Sequence, residues 1–302
     1  MDNLTHSLTG ALLGQAGLKR KTGLAMPALI IGANLPDVDA ACFFWLDGVQ
    51  HLAVRRGITH GPIAWVLLPL VLAGLLYGFD RWQARRGKRP EKRLPVSFPW
   101  LYLLSFIGCL THPALDWLNV YGIRLLEPFS SRWFYGDTLF IIDVWLWALL
   151  GLSTWWSLRR EKRGGDWRRV ARVALTVALG YIAVQGAITR GYRMAEAGPV
   201  IASPLPLASW EREVIVPAGA DLWLIDVERV GDCALTPAVA ATPGNLNLNA
   251  FLFWSRAPFA ERAPDGSVLI RDARFYDPRA RDRFTVALPE VRCEELGSAA
   301  GG

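Results

Sequence analysis

Four apolar stretches, each long enough to cross or nearly cross a lipid bilayer, constrain this chain more than any other feature. They are Ile63–Phe79, Phe98–Leu110, Leu139–Leu158 and Val170–Ile188. About 20 apolar residues span the hydrocarbon core, so the shortest stretch needs its neighbours to complete a span. Two shorter glycine-containing segments, Leu4–Leu18 and Leu24–Leu35, precede them and are typical of buried or re-entrant helices. The sequence predicts a mainly α, polytopic membrane domain with about six membrane-embedded helices.

The composition excludes several other classes of protein. Of the 302 residues, 52% are hydrophobic, and the mean hydropathy is +0.23. This is too apolar for a disordered chain and high for a wholly soluble one. The four cysteines form no CxxC pair, which excludes a disulfide scaffold and a cysteine-rich zinc module.

The basic residues predict the orientation of the membrane domain. They concentrate in three short loops, at 19–21, 81–93 and 159–169, whereas the opposite loops, 40–60 and 113–137, hold four arginines in all. Cytoplasmic loops carry the excess of Lys and Arg. With six embedded segments, both termini are then extracytoplasmic, and the net charge of +6 reflects membrane topology rather than nucleic-acid binding.

The sequence changes character near residue 195. Residues 1–195 hold 23 basic and 12 acidic residues, against 10 and 15 in residues 196–302. Short β-prone runs between turn residues then follow, and we interpret 196–302 as a small, soluble, β-rich extracytoplasmic domain after the helical domain of 1–195. These runs are Glu213–Val216, Leu222–Val227, Leu246–Trp254, Ser267–Ile270 and Phe284–Leu288.

Three of the four histidines follow a threonine at the edge of an apolar segment. These are His6, His60 and His112, and the prolines Pro62 and Pro113 follow two of them closely. Threonine capping a new helical turn, with proline at its start, explains the pattern locally. A lone histidine of this kind is most often a structural hydrogen-bonding residue.

Carboxylates accompany the histidines. Asp37 and Asp39 end the second apolar segment, and Asp116 follows His112 by four residues, which places both on one face of a helix. Imidazole and carboxylate together are good ligands for first-row divalent metals. Asp143 lies in the fifth segment, where an ionisable residue is costly and usually functional.

The predicted topology places all these residues at one membrane face. Asp37 and Asp39 are each also explained as a helix cap, and an arginine in an outer loop is often only solvated. As a set, however, the residues favour a metal site. We predict one or two divalent ions, with zinc favoured, bound by His6, Asp37, His60, His112 and Asp116. Asp39 or Asp143 would be a further ligand or the general base, and Arg56 would neutralise an anionic substrate.

The motifs resemble those of a known family. Asn3–Ser7, Leu35–Asp39, Arg56–His60 and Thr111–Asp116 look like the YdjM/YfhP group of membrane-bound, predicted metal-dependent hydrolases, and the resemblance covers about residues 1–190. The order His, Asp, His, His-x-x-x-Asp is also similar to part of the zinc phospholipase C and P1 nuclease pattern. The resemblance implies hydrolysis of a phosphoester, in a lipid or lipid-linked substrate, at the plasma membrane.

Two alternatives stay open. The same polar residues would suit an ion-binding or transport protein without enzymatic activity, and the outer domain would suit an envelope structural or interaction protein. Membrane lipids are the expected partners, nucleic acid is not, and the sequence does not indicate an oligomeric state.

The cysteines divide by location. Cys42 and Cys109 lie in or beside apolar segments and are expected to be small buried residues. Cys233 and Cys293 both fall in the predicted outer domain, in an oxidising compartment. We expect a bridge between them, closing a loop of roughly 60 residues and stabilising the domain by about 4 kcal/mol.

Overall fold

The structure, a computed structural model, describes residues 1–219, 221–277 and 281–294. They form two compact units. The first contains residues 1–39, 56–187 and 206–210, and the second contains residues 40–55, 188–205 and the described residues from 211 onward.

The first unit is helical. Its helices are α1 (Asn3–Gln15), α2 (Ala25–Gly32), α3 (Pro62–Arg85), α4 (Phe98–Trp117), α5 (Val144–Lys162) and α6 (Trp167–Ala195), whose last turns belong to the second unit. A 3₁₀ segment, Leu35–Phe44, follows α2, and a shorter one, Ile58–His60, precedes α3.

Three of these helices, α3, α4 and α6, are long and apolar enough to cross a membrane. A fourth span results if α2 and the segment Leu35–Phe44 count as one crossing with a bend of 52°. The predicted stretch Leu139–Leu158 corresponds to α5, which begins at Val144 and whose last turn carries basic residues. The described part of the chain therefore has three or four candidate spans.

Local sequence explains where the helices begin. Asp2 caps α1 by accepting hydrogen bonds from the amides of Leu4 and Thr5 at 2.9 and 3.0 Å, and Pro62 occupies the first turn of α3. The prediction that Pro113 starts a new helical turn was wrong. It lies inside α4, which continues to Trp117. The flanking residues keep helical geometry, and only the bond that Pro113 cannot donate is lost.

Glycines allow α1, α2 and α4 to pack closely. A Cβ atom on Gly10 of α1 or on Gly108 of α4 would lie 2.7 or 2.6 Å from the carbonyl oxygen of Leu29 on α2. Gly32 of α2 similarly faces the carbonyl of Ser105 on α4 at 2.7 Å. Small residues at such contacts let helix backbones approach, as is common in membrane proteins.

Two antiparallel sheets lie in the second unit, as the predicted β-rich character requires. Strands β1–β4 form one sheet in sequential order, and strands β5–β7 form the other. The first four are Ile201–Pro204, Arg212–Gly219, Leu222–Ile225 and Glu228–Val230. The remaining three are Pro258–Arg262, Ser267–Asp272 and Val286–Arg292. Helices α7 (Leu235–Ala240) and α8 (Leu246–Trp254) separate the sheets in sequence.

One β-prone run was assigned to the wrong element. Residues Leu246–Trp254 form α8, which begins because the Asn245 side chain accepts a hydrogen bond from the Leu248 amide at 3.0 Å. The helix buries Leu248, Phe251 and Trp254, which recur every three residues. A short apolar run without strict alternation does not distinguish a buried strand from a helix.

The expected disulfide is confirmed. Cys233 and Cys293 are bridged, with their Cα atoms 5.2 Å apart. Cys42 and Cys109 are buried, also as expected, and neither takes part in a disulfide. The bridge joins Cys233, two residues before α7, to the residue that follows β7, and it closes a loop that contains α7, α8 and β5–β7.

Candidate metal centre

All five predicted metal ligands converge within the first unit. His6 lies on α1, Asp37 on the segment Leu35–Phe44, and His60 at the end of the segment Ile58–His60. His112 and Asp116 lie one turn apart on α4, which places both side chains on one face. Four separate stretches of the chain therefore supply the cluster.

One group of candidate ligands consists of Asp37, His60 and His112, whose ligand atoms lie within 4.8 Å of one another. The Asp37 carboxylate is 4.0 Å from His60 Nε2 and 3.7 Å from His112 Nε2. Ligands placed 2.0–2.2 Å from a tetrahedral ion are separated by roughly 3.3–3.6 Å. Small side-chain movements would therefore bring the three to one ion.

A second group consists of His6, His112 and Asp116, again within 4.8 Å of one another. One Asp116 oxygen lies 3.4 Å from His6 Nε2. Its other oxygen lies 3.6 Å from His60 Nε2 and 3.5 Å from His112 Nε2. Asp116 and His112 thus connect the two groups, an arrangement compatible with one ion or two.

Several buried donor atoms of the cluster make no hydrogen bond. His6, His60 and His112 are fully buried, and the Nε2 atom of each has no hydrogen-bond partner. One oxygen of Asp116 is likewise buried and without a hydrogen bond, although the Arg56 Nε atom lies 3.1 Å from it. Buried polar atoms are nearly always satisfied, and a metal ion would satisfy all four of these. The donor set therefore fits a divalent metal.

Backbone and side-chain contacts orient two of the imidazoles. His112 Nδ1 lies 2.7 Å from the carbonyl oxygen of Ala33, so Nδ1 is the donor and Nε2 keeps its lone pair. His60 Nδ1 lies 3.0 Å from the Thr59 hydroxyl and 3.5 Å from the Asp39 carboxylate. Burial lowers the pKa of His60, which favours the neutral form that binds metals.

The sequence of this region identifies its family. Residues 1–192, more than half of the chain, match the family model described as YdjM inner membrane protein. The chain belongs to the YdjM inner membrane protein family. All five candidate ligands lie inside the matched region, and the family together with the apolar helices indicates a multi-pass inner-membrane protein.

A curated relative is similar to part of this YdjM-family chain. It is the uncharacterized protein YfhP of Bacillus subtilis (strain 168), 25% identical over 167 residues. The match covers 52% of the present chain and 47% of the relative, so the chain spans about half the length of the relative it matches. No solved structure matches the chain.

In this YdjM-family protein, Arg56 is buried against the cluster. Its Nε atom is 3.1 Å from the second oxygen of Asp116, and its Nη1 donates to the Asn119 side chain at 3.0 Å and the Gly122 carbonyl at 3.1 Å. The amino group of Met1 also pairs with Asp116. Arg56 therefore balances the charge of Asp116, whereas the sequence predicted an arginine facing substrate.

Asp39 contacts the cluster from outside the ligand set. Its carboxylate accepts hydrogen bonds from the Arg56 amide at 2.7 Å and the Thr59 hydroxyl at 3.2 Å. Because it also faces His60 Nδ1, it orients that imidazole. The backbone of Arg56 has a positive φ of 55°, and the bond to Asp39 holds this conformation.

Asp143, the other predicted acid, lies apart from these contacts. Its carboxylate caps α5 by accepting a hydrogen bond from the Leu146 amide at 2.8 Å, and it accepts another from the Tyr181 hydroxyl at 2.8 Å. The bond from Tyr181 connects the start of α5 to α6.

Sequence reasoning missed Thr59, Asn119 and the Ala33 carbonyl, which orient His60, Arg56 and His112. Asn119 follows Asp116 by three residues and Thr59 directly precedes His60, and these positions beside predicted ligands were the available signal. Ala33 contributes a backbone carbonyl from a segment that is distant in sequence, and the sequence carries no signal for a contact of that kind.

Proposed function

We propose that this protein is a membrane-bound, metal-dependent hydrolase that cleaves phosphoester bonds in lipid or lipid-linked substrates. The observation that carries the proposal is the convergence of three buried histidines with Asp37 and Asp116, where the Nε2 atom of each histidine and one oxygen of Asp116 have no hydrogen-bond partner. A core built for stability alone would satisfy these groups with protein partners.

His6, Asp37, His60, His112 and Asp116 would hold one or two divalent ions, and their imidazole and carboxylate donors suit zinc. Such an ion, when bound, supplies Lewis acidity that acidifies water and polarises the scissile group. The surrounding residues preorganise the donors. Ala33 fixes His112, Thr59 and Asp39 fix His60, and Arg56 offsets the charge of Asp116.

Water reaches the cluster most easily at Asp37. Its side chain is 12% exposed, whereas His6, His60, His112 and Asp116 are at most 1% exposed. The attacking water of a hydrolysis would reach the cluster on that side. Asp39, which already contacts the Thr59 hydroxyl and His60, is the carboxylate best placed to take up a proton beside the ligands.

The choice of a phosphoester rests on the ordered His, Asp, His, His-x-x-x-Asp pattern, which is similar to part of the zinc phospholipase C and P1 nuclease pattern. The inner-membrane location favours a substrate anchored in lipid. A water-soluble phosphoester would not require a membrane-embedded enzyme.

We further propose that α1, α2 and α5 are membrane-embedded together with the candidate spans, so that the cluster and the second unit face the extracytoplasmic side. The positive-inside distribution and the Cys233–Cys293 bridge both support this orientation. Single cysteines introduced in loop 113–137 should react with a membrane-impermeant maleimide in intact cells. Cysteines in loop 81–93 should react only after lysis, and the reverse result would place the cluster in the cytoplasm.

Metal analysis of the purified protein tests the site directly. We expect one or two equivalents of a divalent transition metal per wild-type chain, a loss of nearly all of it in His112→Ala and a loss of about half in His60→Ala. His51→Ala is the matched control, since His51 lies in the loop of residues 40–55, outside the cluster. Equal metal content in all four proteins would contradict the site.

Hydrolysis is tested with the same four proteins on soluble phosphomonoesters and phosphodiesters and on phospholipids in mixed micelles. We expect rates to fall at least about a hundredfold in His60→Ala and His112→Ala and to remain unchanged in His51→Ala. Full metal binding with no hydrolysis of any phosphoester would favour an ion-binding protein without enzymatic activity.

A further inference from the structure

We propose that a cavity beside the metal centre holds an acyl chain of a phospholipid whose phosphate headgroup lies at the His/Asp cluster. This assignment names the substrate class of the proposed hydrolase and rests on that function. The cavity lies between α1, α4, α5 and α6, entirely within the first unit.

The chemistry of the cavity wall selects a hydrocarbon ligand. The cavity has a volume of about 390 Å³, within the usual range for small-molecule sites of about 300–1,000 Å³. All its lining side chains are aliphatic except Thr9 and Thr111. These two hydroxyls donate to carbonyls of their own helices, Thr5 at 2.8 Å and Gly108 at 2.7 Å. No lining side chain therefore offers an unengaged polar group to a ligand.

The cavity begins beside the metal centre. On α4, Thr111 and Leu115 line the wall and directly precede the candidate ligands His112 and Asp116. On α1, the lining residues Thr9 and Leu13 follow His6 by three and seven residues, which places all three along one stripe of that helix. The same turns of α1 and α4 thus carry candidate ligands and the start of the cavity wall, and the proposal places the phosphate at the cluster and the acyl chain in the cavity.

The cavity runs along the helix axes. On α6 its lining extends from Leu175 to Ile182, and on α4 from Thr111 to Leu118. Seven residues at a rise of 1.5 Å each correspond to about 10 Å. The cavity is therefore an elongated slot, which suits one extended alkyl chain better than a compact ring system.

Its rim leads to the exposed surface of the membrane helices. Leu179 of α6 lines the cavity and is 68% exposed, and Ala114 of α4 is also exposed. Both α4 and α6 are candidate membrane spans. In the bilayer, lipid chains surround this rim. A phospholipid can therefore enter the cavity laterally without leaving the membrane.

Photolabelling tests the site in the full-length protein. Wild type is reconstituted in phosphatidylethanolamine and phosphatidylglycerol vesicles with a trace of phosphatidic acid carrying a diazirine in its acyl chain. We expect labelled peptides concentrated at Thr111–Leu118 and Leu175–Ile182. Ala178→Phe, which fills the cavity, should reduce this labelling at least tenfold. Ala187→Phe, the same change at an exposed position of α6, should leave it unchanged.

Other results would overturn the assignment. Labelling spread evenly over α3, α4 and α6 would mean ordinary lipid contact, and undiminished labelling in Ala178→Phe would mean that the chain lies elsewhere. If Ala178→Phe does not fold, Ala114→Phe at the rim serves instead. Excess palmitate that competes as strongly as unlabelled phosphatidic acid would identify a fatty-acid site and contradict the phospholipid.

Hydrolysis of two phosphomonoesters, with 4-carbon and 12-carbon chains, separates this proposal from the proposed function. Each buried methylene contributes roughly fourfold to affinity, so wild type should show a much lower KM for the long ester. Ala178→Phe should raise that KM at least tenfold and leave the KM for the short ester unchanged.

His60→Ala should lose hydrolysis of both esters but keep the photolabelling. If wild type cleaves neither ester, the hydrolase proposal fails, and photolabelling still decides whether the cavity binds a lipid chain.

Discussion

His6 and His112 stack face to face, with ring centroids 3.8 Å apart and an interplanar angle of 17°. They come from α1 and α4, and each lies one turn from a glycine, Gly10 or Gly108, that packs against the Leu29 carbonyl. The close approach of three helix backbones therefore brings the two imidazoles together. The packing of α1 and α4 against α2 therefore sets the positions of two candidate metal ligands.

The first prediction concerns how the ligands share metal. His112 belongs to both ligand groups, whereas His6 and His60 belong to one each. We expect His112→Ala to lose nearly all bound metal, and His6→Ala and His60→Ala each to lose about half, because ligand loss weakens binding mainly in its own group. Elemental analysis of metal per chain measures this. Greater retention in His112→Ala than in the other two variants would contradict the shared position.

The second prediction concerns Arg56. Arg56→Ala leaves the buried Asp116 without its guanidinium partner, and we expect a loss of about 3–5 kcal/mol of unfolding free energy. Arg56→Lys should rescue little, because an ammonium group cannot reproduce the bonds that Nε and Nη1 make together. Thermal unfolding in detergent measures both. Arg132→Ala, at an exposed position, is the control and should leave the transition unchanged.

The third prediction concerns the helix packing behind the cluster. A Cβ on Gly108 would lie 2.6 Å from the Leu29 carbonyl, so Gly108→Ala should cost about 1–3 kcal/mol and weaken metal binding through His112. On α3, a Cβ on Gly74 would meet nothing within 4 Å. Gly74→Ala should therefore be neutral or stabilise the helix by up to about 1 kcal/mol. Equal effects of the two changes on metal affinity would refute this coupling.

The fourth prediction concerns Glu213 on β2. Burial, with the negative charges of Asp226 and Asp277, raises its pKa to about 7. Between these two values the folded state holds a proton on Glu213 that the unfolded state has released, because the pKa of Glu213 in the unfolded state is near its ordinary value of 4.5. The contribution of Glu213 to stability is therefore fully present below about pH 4.5 and is lost as pH rises through about 7.

Glu213→Gln should remove this dependence and stabilise the second unit at pH 8 by about 1–2 kcal/mol, after allowance for solvent screening. Hydrogen exchange of the β1–β3 amides at pH 5.5 and pH 8, corrected for intrinsic rates, measures the change. Unaltered pH dependence in the variant would exclude Glu213 as its source.

The fifth prediction concerns the Cys233–Cys293 bridge. Cys233→Ser with Cys293→Ser should destabilise the second unit by about 2–4 kcal/mol, because the unfolded chain gains the freedom of a loop of 60 residues. Cys42→Ser, at a buried cysteine outside the disulfide, is the control for the loss of a sulfur atom. Peptide mapping under alkylating conditions should find Cys233 and Cys293 linked. Free thiols at both positions would contradict the bridge.

Much of the site was predictable because its residues recur in a recognisable local form. The Thr-His dipeptides and the i, i+4 spacing of His112 and Asp116 indicated metal ligands before any geometry was known. The same reasoning placed Arg56 at the substrate, since sequence does not show whether an arginine is solvated or buried. For Leu246–Trp254, an apolar run without periodicity left helix and strand indistinguishable.

The sequence by itself determined a multi-pass membrane domain, a β-rich C-terminal part and the identity of the clustered histidines and carboxylates. Hydrophobic length, charge distribution and short motifs are local properties, so they can be read directly. Only the tertiary structure decided that Asp116 lies between two ligand groups and that Asp39 and Ala33 orient the imidazoles. Those roles depend on contacts between residues far apart in the chain, which helix packing through Gly10, Gly32 and Gly108 brings within hydrogen-bonding range.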